Sequence, residues 1–190
     1  IHFLAFLQKT DIEPDLVVDV MKVLLEDERL HVSRADRWKG NWRQFMCTDG
    51  AVVAAVFSEF KEARGWFDGQ VKSLLAGSSD LFPDGSMRDF STSYTDGYII
   101  WLSTLGEVID AFRCPFALDI PSDVATLYEK TIDWELAMRK PSGRAVQFND
   151  DGSLLLPEYY GRLAGIVFDY FGQDDLKWFA TGGKEGRPPT

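Results

Sequence analysis

The residues in this chain best suited to chemistry are few and scattered. Between Arg34 and Arg43 the sequence sets Arg34, Arg37, Lys39 and Arg43 against one carboxylate, Asp36, with Trp38 and Trp42 interleaved. Cations alternating with flat indoles suit a ligand that is both anionic and ring-shaped, because cations meet its charge and aromatic faces meet its apolar surface. A solvated loop whose tryptophans pack on neighbouring helices would carry the same residues. Asn41 lies inside this window and offers an amide donor, although an asparagine at such a place also serves as a helix cap. Tyr94 offers a phenol that moves a proton once positive neighbours bring its pKa down from about 10; taken alone, it reads as a half-buried tyrosine packing a helix start.

Glu59, Asp89, Asp96 and Asp150 bring a second chemistry to mind, glycoside hydrolysis by two carboxylates flanking one bond. The chain carries 30 carboxylates, so caps and surface charges account for them equally well until separations are known. Only two histidines occur, His2 and His31, and the latter reads as a surface residue at a helix end. Cys47 and Cys114 lack metal-ligand spacing and read as buried free thiols. No cluster of His or Cys in this chain has the make-up of a metal site, so no cofactor is expected within it.

A net charge of −10 argues against sequence-independent nucleic-acid binding, which relies on clustered cations facing phosphates. It also counts mildly against a polyanionic ligand, except at the locally basic window. No apolar run approaches the roughly 20 residues a membrane span needs. The chain therefore reads as soluble, with neither nucleic acid nor membrane as a partner. It has no initiator Met and no signal-peptide pattern, so Ile1 reads as a cut or processed start.

The elements that must position these residues are helices. From Pro14, apolar residues recur at helical spacing through Leu25, with Asp15 and Asp19 at the positive end of the helix dipole. The spacing predicts that this helix ends before the charged stretch Glu26 to Arg29 and that a long polar surface loop runs on to Gly40. Ala51 to Phe57 together with Asn41 to Met46 favours helix over strand through its alanines. Lys61 to Leu75 forms an amphipathic helix that Gly77-Ser78-Ser79 stops. Pro83-Asp84-Gly85 makes a turn, and a helix follows over roughly Ser91 to Phe112. Pro121 sits where a first-turn proline is tolerated, opening a helix that runs towards Pro141. Leu154 to Phe171 and Asp174 to Phe179 supply two more; Ala145 to Phe148 is the one strand candidate. This is an all-α array of roughly six or seven helices over residues 1–180, with 181–190 a linker or frayed tail.

Four stretches, taken in order, resemble the heparinase II/III-like polysaccharide lyases. They are Gly40-Asn41-Trp42-Arg43; Phe57-Ser58-Glu59-Phe60-Lys61 with Trp66, where Ser58 replaces the usual proline; Asp84-Gly85-Ser86 followed by Asp89, Ser91 and Tyr94; and Pro141-Ser142-Gly143-Arg144 followed by Asn149-Asp150. Asp89 stands where the family has Glu, and Thr95 where it has His after the tyrosine. The resemblance implies a partial α/α toroid, followed in the family by β-sandwich domains, one of which often carries a metal.

It also implies β-elimination on a uronic-acid polysaccharide of the heparan sulfate, alginate or related kind. The C5 proton beside the uronate carboxylate is weakly acidic, so the carboxylate must be neutralised as enolate charge develops. The resemblance assigns that task to Asn41 and the acid/base role to Tyr94, with Trp38, Trp42, Arg43, Arg88, Asp89 and Glu59 as substrate contacts. It further implies a histidine contributed from beyond the toroid, the β-sandwich part as intramolecular partner, an incomplete site in this chain alone, and periplasmic or secreted location. Two other readings stay open: a glycoside hydrolase on an α/α barrel, and, because Thr95 replaces the histidine, a non-catalytic glycan-binding relative.

Overall fold

The computed structural model describes residues 12–89 and 91–138, together with 146–147, 174, 178 and 184–188. Among the described residues five bounded α-helices follow one another: α1 Pro14–Val32, α2 Gly40–Val56, α3 Ala63–Ala76, α4 Thr92–Ala111 and α5 Ser122–Ala137. Short 3-10 turns span Ala35–Arg37 and Gly77–Asp80. Among the described residues there is no strand, only one bridge between Leu81 and Met87.

Helix α1 starts on Pro14, with Asp15 in its first turn and Arg29 and His31 in its last, as the helix dipole favours. It does not stop before Glu26 as the charge pattern predicts. It runs about two turns further, to Val32, and the expected long loop shrinks to a short connection interrupted by Ala35–Arg37. The charged residues divide between two faces. Glu28 turns inward and is buried, while Arg29 stays exposed and reaches Glu26 at 2.7 Å and Glu62 at 2.8 Å.

Helix α2 is central, packing against α1, α3 and α4. Its buried face is built from Cys47, Ala51, Ala54 and Ala55, whose small side chains let neighbouring helices come close. Gly50 takes this furthest: a Cβ there would lie 2.6 Å from Gln70 Nε2 and 2.8 Å from Glu28 Oε1. Trp66, Phe67, Val71 and Leu74 of α3, Tyr98, Leu102 and Leu105 of α4, and Val124 and Tyr128 of α5 complete one contiguous core. Both cysteines are free, Cys47 buried and Cys114 half-buried.

Helices α3 and α4 occupy the predicted segments to within two residues, and α5 begins at Ser122 directly after Pro121. Of the strand candidate only Val146 and Gln147 are described, in irregular conformation. The expected helix over 154–171 lies outside the described residues, and of 174–179 only Asp174 and Trp178 are described, both helical. Arg187 of the tail donates to Asp174 Oδ2 at 2.9 Å.

Candidate active site

The Pro83-Asp84-Gly85 turn is a docking element. Phe82 N–H donates to Ser86 O at 2.7 Å and Gly85 N–H to Phe82 O at 2.9 Å. Asp84 Oδ1 accepts from both Ser86 N–H (3.0 Å) and Ser86 Oγ (2.7 Å), which holds its carboxyl below the usual range. Gly85 has φ +92° and presses on α5 so closely that a Cβ would collide with the Lys130–Thr131 peptide. Lys130 Nζ in turn donates to Pro83 O at 3.1 Å. Pinned in this way, the turn delivers Arg88 and Asp89 to the approach of α4.

Asp80, immediately before the turn, joins three elements. Its Oδ2 accepts the Gly40 N–H at 3.1 Å and the Tyr98 hydroxyl at 3.4 Å, and lies 3.6 Å from Arg43 Nη1. Lys39, the residue before α2, gives no side-chain cap, so Asp80 serves as that helix's N-terminal acceptor from across the fold. The Arg43 guanidinium is further held by Trp38 O, 3.0 Å from Nε. Burial, with Asp80 beside it, pushes the Tyr98 phenol well above its ordinary range, so Tyr98 stays protonated.

The consequence is that α2 and α4 start side by side. Gly40, at φ +56°, stands near Asp89, whose Oδ2 would lie 3.8 Å from an added Cβ. Asn41 is the second residue of α2 and Tyr94 the third of α4, each half-buried. Ser91 caps α4, its Oγ accepting Tyr94 N–H at 3.5 Å. Thr95, where the related pattern has histidine, is fully buried and donates from Oγ1 to Ser91 O at 2.8 Å, so it faces its own helix.

Trp38 and Trp42 stack with centroids 6.4 Å apart, and Trp42 is 61% exposed. One helical turn on from Asn41, Phe45 meets Trp101 of α4 edge to face. Arg88 lies over the Phe82 ring at 5.1 Å and donates to Ser79 O at 3.2 Å. Glu59 is not brought to this region. It sits on the exposed turn after α2, and 17 helical residues put about 25 Å between that end and Asn41. Asp150 lies outside the described residues. Sequence reasoning passed over Asp80 and Tyr98; the one available signal was that Tyr98 follows Tyr94 by four residues, on the same helix face.

Elsewhere, a cleft of about 460 Å³ is lined by residues that include Val32, Ala35, Asp36, Arg43, Lys72 and Ser73. Of the charged side chains named on its lining, Asp36, Arg43 and Lys72, Arg43 lies beside Asp80. Among the described residues no group of His, Cys, Asp or Glu has the arrangement of a metal site, and no helix is long and apolar enough to cross a membrane.

The family model described as the heparinase II/III N-terminus matches residues 1–178. No curated protein matches the chain in sequence. Among solved structures, the chain is similar to a heparinase III gene product at 21% identity with a TM-score of 0.80, covering 98% of this chain and 29% of that one. It is similar also to the heparan sulfate lyase HepC from Pedobacter heparinus, at 17% identity with a TM-score of 0.73, covering 97% and 29%. A structure of heparinase III matches at 18% identity with a TM-score of 0.78, covering 96% and 29%. The chain thus spans less than a third of these relatives' length, and its helices form part of an α/α toroid, as expected.

Proposed function

The chain belongs to the heparinase II/III family, and from that premise we propose that it supplies the helical wall of a lyase site that cleaves a uronic-acid polysaccharide by β-elimination. The observation that carries this reading is the joint anchoring, through Asp80, of the first turn of α2 at Gly40 and the second turn of α4 at Tyr98, with Asp89 beside Gly40. In this reading Asn41, in the first turn of α2, and Tyr94, in the first turn of α4, act on one substrate unit.

In this reading the Asn41 amide donates to the uronate carboxylate, and the positive ends of two helices favour the same charge. Tyr94 takes the C5 proton, electrons move to form the C4–C5 double bond, and the C4–O4 bond breaks. The departing O4 takes a proton, from Tyr94 or from the histidine that the family resemblance places beyond the toroid. The stacked Trp38 and Trp42 provide an aromatic surface for a sugar ring, with Arg88 and Asp89 at the edge of the same region. The acidic polysaccharide is heparan sulfate-like or alginate-like, and the protein acts in the periplasm or outside the cell. The β-sandwich part of the same protein is the partner that closes the site.

The test is turnover by the full-length protein on a panel of uronate polysaccharides, read as absorbance of the conjugated unsaturated product. New reducing ends without that absorbance would instead indicate hydrolysis, and binding without turnover a non-catalytic relative.

A further inference from the structure

We propose that Asp80 is a positioning residue for Asn41, an inference that rests on the lyase reading above. Asn41 can meet a carboxylate only if the start of α2 is held in place, since a donor misplaced by about 1 Å loses most of its effect. The start of a helix is its least constrained part, because its first N–H groups have no partners within the helix. Here the usual local cap is missing, and the residue before Asn41 is a glycine in the left-handed region, which resists no rotation through a side chain. What fixes that peptide is Asp80 Oδ2.

The same carboxylate reaches Arg43, two residues beyond Asn41, and Tyr98, four residues beyond Tyr94. Asp80 therefore touches α2 on both sides of Asn41 and touches α4 one turn after Tyr94. The pair is well placed to persist, with the Asp80 side chain 23% and the Arg43 side chain 15% exposed. Tyr98 is held as a donor, since its phenol remains protonated beside the carboxylate. Asp80 meets no substrate in this arrangement; it acts through the orientation of the Gly40–Asn41 segment.

The experiment compares Asp80→Ala, Asp80→Asn, Asn41→Ala and the Asn41→Ala/Asp80→Ala double variant in the full-length protein, with heparan sulfate and alginate as probes. Rates are taken per folded molecule. Asp80→Ala is expected to lower kcat at least about tenfold while KM stays within about threefold. Combined with Asn41→Ala it should add little further loss, because both changes remove the same function. Asp80→Asn keeps an acceptor for the Gly40 N–H and should lie between Asp80→Ala and the unaltered protein; it also serves if the alanine variant does not fold. If Asn41→Ala is crippled while both Asp80 variants keep kcat within about twofold, the positioning role is overturned and the lyase reading stands. If Asn41→Ala is fully active, or neither polysaccharide is cleaved, both fall together.

Discussion

Phe45 and Trp101 meet edge to face with ring centroids 5.1 Å apart, which ties α2 to α4 one turn beyond Asn41. Replacing Asn41 with Ala should therefore leave the helix pair intact. It should lower kcat by about 10²- to 10³-fold, the range for loss of one oxyanion donor, with KM little changed. Steady-state kinetics of the full-length protein check this; a matching loss of thermal stability with normal activity per folded molecule would make Asn41 a cap only.

Tyr94→Phe removes a hydroxyl and keeps the ring, which packs against the core. The expected loss in kcat is about 10² to 10⁴, typical of a positioned proton-transfer group. Initial rates of unsaturated-product formation at matched folded concentration decide the matter, and retention of more than about a third of the activity removes Tyr94 from the mechanism.

Trp42→Ala should separate binding from folding. With so much of the indole exposed, stability should change by no more than about 0.5 kcal/mol, while KM for a long polysaccharide rises several-fold and kcat holds. Denaturation curves and kinetics on the same preparation measure both.

Stability should fall with rising pH because of Glu28. The residue is 4% exposed, and burial is the main cause that lifts its carboxyl from the ordinary 4.5 to about 7. Asp27 and Asp49 add repulsion, and the Gln70 amide partly offsets the shift. A folded pKa above the unfolded value means a proton held more tightly in the fold. The associated stability is complete below about pH 4.5 and disappears as pH rises through about 7, a change of up to roughly 3 kcal/mol. Urea denaturation between pH 5 and 8 should show this slope, and Glu28→Gln should flatten most of it. Asp49, also raised by burial, contributes a slope of the same sign.

Two glycines should respond unequally to alanine. Gly40→Ala meets strain only from its positive φ, since the new Cβ has room beside Asp89, and should cost about 1 to 2 kcal/mol. Gly85→Ala adds a collision with the α5 backbone and should cost more, undocking the turn. Chemical denaturation of the two variants tests the order, and equal losses would contradict it.

Local pattern was enough for the helices. Apolar residues three and four apart, a proline at a first turn and glycine or serine at a stop act through neighbours in sequence, so α2 to α5 were predictable from the chain alone. The turn at Asp84-Gly85-Ser86 was readable for the same reason. The charged residues Glu26 to Arg29 misled, because whether a charge ends a helix or rides on it depends on what lies opposite. Glu28 finds Gln70 and Gly50 from other helices, and Arg29 finds Glu62 in the turn before α3.

Residue types also indicated which side chains were chemically apt, but not which of them share a place. Glu59 and Asn41 fall on one predicted helix segment and its turn, yet the helix itself holds them apart. Gly40 and Asp80 are 40 residues apart and bond directly. That bond, with its branches to Arg43 and Tyr98, exists only once α2, α4 and the Asp84 turn have packed. A carboxylate's partners in a fold are set by distance in space, which spacing along the chain does not encode.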